Sequence, residues 1–150
     1  TRERPATRAK AFQVGISQTS AASRASPGGY GMEGNLEQFH LSDHRSLDDV
    51  LKSVLKQDLL PSFCTACYRS KRTGKKFMNL AKPGNIQNFC RPNAILTFKE
   101  YLLDYASSSV KDQGEKIIQK YLAFIPDKGR KKETQKRLWR LERGERDLYF

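Results

Sequence analysis

Cysteine occurs at three positions, Cys64, Cys67 and Cys90, all within the stretch FCTACYRSKRTGKKFMNLAKPGNIQNFC. The first two form a Cys-x2-Cys pair, and the third follows after twenty-two intervening residues. Such a pair puts two thiolates on one tight turn, close enough to clasp a single metal centre. An odd set cannot pair completely as disulfides, and cysteines clustered in this way point to metal binding or redox chemistry in a reducing compartment. Three chemistries compete for them. Structural zinc takes four ligands, so His40 or His44 would have to supply the fourth. Their spacing suits one helix face, but a helix capped by Ser46 starts just after them, which makes both loop residues and, taken singly, ordinary polar ones. A thioredoxin-like redox pair needs a βαβ setting, whereas this pair follows a helix and Pro61. An iron–sulfur cubane normally takes four cysteines. Held by three, it keeps one iron free for substrate, water or a bridging sulfur ligand, like the open position of a catalytic metal site.

The elements that must position these thiols are mostly helical. The chain has 150 residues, 37% of them hydrophobic, and a mean hydropathy of -0.72, polar for a compact domain but not in the disordered range. No apolar run nears the ~20 residues of a membrane span, and no apolar leader follows the basic start TRERPATRAK. Phe12–Ile16 is read as a short strand, and ASPGGYGMEGN as a glycine-rich loop. SLDDVLKSVLKQ is an amphipathic helix, with Ser46 and Asp49 as a capping box and a stripe of Leu47, Val50, Leu51, Val54 and Leu55. GKKFMNLAKPG predicts a short helix that Pro83-Gly84 stops. A further helix is expected to start at Thr97, with Glu100 completing a capping box, Leu96 and Tyr101 as a hydrophobic staple, and a stripe of Phe98, Tyr101, Leu102 and Tyr105. Residues 109–125 repeat the pattern with Val110, Ile117, Ile118, Tyr121, Leu122 and Ile125, and Pro126 ends them. A last basic helix carries Leu138 and Leu141 and stops near Gly144.

The formal net charge is +12, much of it in DKGRKKETQKRLWRLERGER. Glutamates are interspersed there and no nucleic-acid motif accompanies the charge. It reads as a solvated helix face, or one that docks on a missing part of the same protein. Neither nucleic acid nor membrane is expected as a partner. The start at Thr1 and the end on GERDLYF suggest a fragment cut at its N-terminus, with a genuine C-terminus.

LPSFCTACYR, with the following RTG, LAK, FC and PNAILTFKEYLLDYA, resembles the C-terminal region of the tyrosine-lyase type of radical SAM maturase of FeFe-hydrogenase. The upstream VGISQTSAASR and PGGY are similar to the end of that family's barrel and of the related tyrosine lyase of thiamine synthesis, and GERDLYF fits the maturases too. The resemblance implies a mostly α C-terminal region carrying the last strand of a (β/α)8 radical SAM barrel, in a full-length protein that is α/β. Residues 1–40 would be the end of the barrel and residues 41–150 a helical auxiliary-cluster domain. It implies that Cys64, Cys67 and Cys90 bind an auxiliary, site-differentiated 4Fe–4S cluster. The missing barrel would hold S-adenosylmethionine and a second 4Fe–4S cluster on a Cys-x3-Cys-x2-Cys motif that this chain lacks. The full enzyme would cleave tyrosine to p-cresol and make carbon monoxide and cyanide, with free cysteine on an extra iron, for the hydrogenase iron synthon; the fragment alone would be inactive.

Several further expectations follow from that resemblance. The partners implied are the rest of the barrel and other hydrogenase maturation proteins. The setting implied is an anoxic intracellular compartment, either cytoplasm or a hydrogenosome or plastid. Ser20, Ser23 and Arg24, just past the expected strand, would line the substrate mouth, or else serve only the loop and its surface. Arg69, Lys71 and Arg72, beside Cys67, would offset the cluster's negative charge. Glycine is expected where Ala22 and Lys71 stand; if the backbone there needs φ > 0, a side chain is costly. An isolated barrel strand has unpaired edges, so aggregation, or disorder before about Leu41, is expected of the fragment alone. The rival reading is a zinc-stabilised interaction or RNA-binding module that uses the basic C-terminal helix.

Overall fold

The computed structural model describes residues 2–29 and 37–150. It divides into two compact units, Thr1–Val54 and Leu55–Phe150. Among the described residues every regular element is a helix, and no helix is long and apolar enough to cross a membrane. Gly31 and Gly34 of the glycine-rich loop lie outside the described residues.

The first unit opens with α1 (Pro5–Gln13). The strand expected at Phe12–Ile16 is therefore corrected. Phe12 lies in α1, and the chain then closes a Schellman cap: Gly15 (φ 97) donates to Phe12 O at 3.1 Å and Ile16 to Ala11 O at 3.1 Å. Proline at N1 and glycine just past the end are helix punctuation. A strand also needs a paired neighbour, and none exists among the described residues. Val14 and Ile16 are exposed instead. Past this cap the chain runs without regular structure to α2. Buried Arg8 holds that segment, pairing with Asp43 and donating to Thr19 Oγ1 at 2.7 Å and to the Ser20 carbonyl. Arg45 grips the other side of Asp43 at 2.9 and 2.7 Å. Its hydrogen bonds, more than those of Arg8, keep the buried Asp43 carboxyl well below the usual carboxylate range despite desolvation. Helix α2 (Leu47–Leu55) has the expected cap: Ser46 Oγ accepts from Asp49 N at 3.2 Å and donates to the Asp49 carboxylate at 2.6 Å. Val50, Leu51 and Leu55 are buried.

The second unit holds α3 (Ala66–Arg69), α4 (Gly74–Ala81), α5 (Gln87–Asp104), α6 (Ser108–Ala123) and α7 (Lys128–Glu142). Helix α5 is central and packs on both α6 and α7. Ile95, Leu96 and Phe98 are wholly buried, with Leu102, Val110, Ile118 and Leu141 around them. Lys99 joins the three helices, its ammonium 2.6 Å from Glu115 and 2.9 Å from Glu142. Helix α7 ends as expected on Gly144 (φ 96), whose N–H reaches Leu141 O while Glu145 N reaches Arg140 O.

Helix α5 begins ten residues earlier than the expected cap at Thr97. Thr97 is mid-helix, and its hydroxyl donates to Asn93 O at 2.9 Å. Glu100 accepts the Asp147 N–H at 2.7 Å, Leu96 is core rather than staple, and Tyr105 is exposed. Proline disfavours a helix interior. Burial of Pro92 through Leu96 carries the helix past it.

Two backbone features give stability predictions. A Cβ at Gly114 would sit 2.7 and 2.8 Å from the Leu102 methyls and 3.1 Å from Phe98 Cε1. Gly114→Ala should therefore lose about 1–2 kcal/mol in urea unfolding, overpacking outweighing the gain in helix propensity. Ala22 and Lys71 both adopt positive φ, 53 and 52 degrees, as the expected glycines require. Ala22→Gly and Lys71→Gly should each stabilise by about 1 kcal/mol.

Candidate metal centre

The cysteine segment is built from a one-turn helix and its cap. Cys64 precedes α3 and accepts the Ala66 N–H at 3.4 Å on Sγ. Cys67 is the second residue of α3. The turn closes as a Schellman cap: Lys71 donates to Tyr68 O at 3.1 Å and Arg72 to Cys67 O at 2.7 Å. Lys71 occupies the left-handed position of that cap, which is why glycine belongs there. Helix α4 and the turn at Gly84 (φ 80) bring the chain back. Cys90 sits in the first turn of α5, on a helix anchored in the core and not in the irregular segment before it, where sequence placed it.

Cys67 and Cys64 both stand near enough to Cys90 for their charges to bear on its thiol. Partial burial raises the Cys90 thiol above its ordinary value, Cys67 and then Cys64 add to the rise, and Arg72 opposes it. All three cysteines are free. Among the described residues no three of Cys, His, Asp and Glu are gathered as a ready single-ion site. One tetrahedral zinc would draw its thiolates to within about 4 Å of each other. A cubane, whose thiolates sit on different irons, needs them further apart. The donors are three soft thiolates with no carboxylate among them, a set that suits zinc or iron–sulfur chemistry. His44 Nδ1 lies 3.8 Å from Glu37 within the first unit, and His40 is exposed.

The segment is braced by cations and aromatic rings. The Arg72 guanidinium lies over the Phe89 ring at 4.7 Å, and Arg130 of α7 lies 5.1 Å from the same ring. Arg130 and Arg137 both cover Phe150, at 4.5 and 3.8 Å. Arg72 donates to Phe150 O at 2.6 Å, and buried Asn93 accepts the Phe150 N–H at 2.8 Å. Arg69 makes a two-pronged pair with Asp147 and lies 4.5 Å from the Tyr149 ring. Residues 147–150 thus strap the loop after Cys67 to α5 and α7. Asn93, Asp147 and Phe150 went unnoticed in the sequence. The clue was there: Arg130 and Arg137, seven apart on one helix face, followed by the terminal aromatic pair Tyr149-Phe150.

A cavity of about 300 Å³ opens beside Cys64. Phe63, Tyr101, Tyr105 and Tyr149 supply aromatic walls, with Glu100 and the Arg69–Asp147 pair at the rim. Phe63 stacks on Tyr101 at 4.9 Å. Ser20, Ser23 and Arg24 belong to the first unit. Ser20 and Arg24 are exposed and Ser23 is partly so; the Ser20 carbonyl serves Arg8, and Arg24 donates to the Ser23 carbonyl at 3.1 Å. Lys71 is exposed as well.

No protein-family model matches this chain, and no curated protein matches it. A solved structure does: HydG, a maturase of the FeFe-hydrogenase, is 51% identical and superposes with a TM-score of 0.94 over 100% of this chain. The chain is a HydG-related region. It spans 33% of the HydG chain, about a third of its length. The likeness to HydG takes in the cysteine segment, its bracing tail and the first unit alike.

The strap makes its own prediction. Asp147 is held below the usual carboxylate range, chiefly by its hydrogen bonds from Arg69. Such a contribution is complete above the unfolded carboxylate value and fades as pH falls toward the depressed folded one. Asp147→Asn at neutral pH should speed amide hydrogen exchange in residues 64–72 and 147–150 while leaving α6 unchanged. Mild acid should do the same to the parent chain once intrinsic exchange rates are corrected.

Proposed function

We propose that this chain is the auxiliary-cluster region of a radical SAM enzyme that matures FeFe-hydrogenase, with Cys64, Cys67 and Cys90 as the thiolate ligands of a 4Fe–4S cluster. The observation that carries the reading is the likeness to HydG, 51% identical over 100% of this chain, together with the soft donor set of Cys64, Cys67 and Cys90 in one segment. When bound, such a cluster supplies one iron without a protein thiolate, open to small ligands. The chain's own residues do the rest. The Ala66 N–H points at Cys64 Sγ and disperses its negative charge. Arg72 is near enough to Cys90 to favour its thiolate form. The aromatic walls of the cavity beside Cys64 limit water there and leave room for a small polar molecule at its charged rim.

The larger reading extends to the whole protein. Its barrel carries S-adenosylmethionine and a first 4Fe–4S cluster, and it is a carbon–carbon lyase that takes tyrosine to p-cresol. Carbon monoxide and cyanide from the same tyrosine, with free cysteine as a further ligand source, feed the iron synthon of the hydrogenase. In this reading Ser20, Ser23 and Arg24 line the mouth of the barrel, the other maturation proteins are the partners, and the setting is an anoxic intracellular compartment.

Anaerobic reconstitution with iron and sulfide tests the cluster. About four irons and matching acid-labile sulfide per chain, with broad visible absorption, are expected. Cys90→Ala should lose most of both. A colourless chain that takes one zinc ion instead would refute the assignment, and salt-sensitive RNA binding that survives substitution of all three cysteines would favour the rival module.

A further inference from the structure

The guanidinium of Arg72 is held by one hydrogen bond and one ring contact. Nη2 donates to Phe150 O at 2.6 Å, and the plane of the group lies 4.7 Å from the Phe89 ring centre. Its main-chain N–H is fixed on the Cys67 carbonyl. Arg72 Nε, however, is buried and has no hydrogen-bond partner. A buried N–H left unpaired costs about 1–3 kcal/mol, and the Phe89 and Phe150 contacts prevent the side chain from swinging out to find water. Other placements around it supply a direction. Arg72 stands at the C-terminal cap of the helix that carries Cys67. Phe89, under its guanidinium, is the residue before Cys90.

From the unpaired Nε and its fixed surroundings, we propose that Arg72 Nε–H is a reserved hydrogen-bond donor to the sulfur of the three-cysteine centre, either a cysteine thiolate or an inorganic sulfide. The inference rests on the cluster assignment above and goes beyond it by selecting one cation of three. Arg69 is engaged with Asp147 and Tyr149, and Lys71 is exposed in the left-handed turn. A charged donor on cluster sulfur stabilises the more negative, reduced state and raises the reduction potential. Arg72 therefore tunes the cluster without ligating it.

The test uses this chain reconstituted anaerobically with ferrous iron and sulfide, and iron per chain is measured first. Absence of iron from the parent chain overturns the cluster assignment, and this proposal with it. With iron present, redox titration followed by electron paramagnetic resonance separates the two. Arg72→Gln should lower the reduced-to-oxidised ratio at a fixed potential about tenfold, about 59 mV for one electron, at unchanged iron content. Arg72→Lys keeps the charge but not the planar Nε donor, and should recover only part of that loss. Lys71→Gln should leave the potential where it is. Full recovery in Arg72→Lys, or no shift in Arg72→Gln, overturns the proposal and leaves the cluster assignment standing. Where either Arg72 variant loses iron, the parent chain decides. Grown with arginine labelled with nitrogen-15, its reduced cluster should show a weak nitrogen-15 coupling in pulsed resonance, and absence of that coupling overturns the proposal.

Discussion

The alternation of guanidinium and phenyl rings between α5, α7 and the final residues is the constraint on which the second unit depends. Arg72, Phe89, Arg130, Phe150 and Arg137 follow one another at 4.7, 5.1, 4.5 and 3.8 Å. Each such contact contributes about 0.5–2 kcal/mol, more where water is excluded. The series matters more for what it joins than for its sum. One end is the loop that follows Cys67, and a ring in the middle belongs to the residue before Cys90. The thiols are hence located by a network that contains none of them. That arrangement suits a centre whose ligands must hold position before the bound group arrives.

The high net charge acquires a meaning from this network. A chain of +12 invites a search for a polyanionic partner. In the structure much of the charge of α7 is engaged locally. Arg137 meets Glu133 and the Tyr149 carbonyl, Arg140 meets Glu145, and Arg130 and Arg137 cover aromatic rings. Arg146, just past the helix, meets Asp104 of α5. Of these cations Arg130 reaches the cysteine segment, lying over the ring of Phe89 next to Cys90, so an anionic centre there would meet charge already fixed in place.

Much of this was legible beforehand, and the misses share a cause. The α2 capping box, α4 with its Pro-Gly stop, α6 up to Pro126 and the Gly144 cap are local devices, set by residues three to five apart. The left-handed backbone at Ala22 and Lys71 was anticipated through the family resemblance, which sets glycine at both; at Lys71 the cap of α3 is what demands it. Phe12–Ile16 was misjudged because the hydrophobic run was weighed and the flanking Pro5 and Gly15 were not. The start of α5 was misjudged because Thr97 and Glu100 make a strong local capping signal that burial of Asn93 through Leu96 overrides. The cysteine triad was visible by residue type alone. The residues that brace it were not, since Asn93, Asp147 and Phe150 act through contacts spanning more than fifty positions.

Proline at position 92 leaves the Asn88 carbonyl without its usual amide rung, two residues past Cys90. Helix α5 is consequently two stretches with unequal footing: a short leading turn that bears the thiol, and a long trailing shaft sunk in the core. A missing rung lets the leading turn flex by small angles without dragging the shaft along. Position 90 can then shift slightly while the rest of the fold stays still.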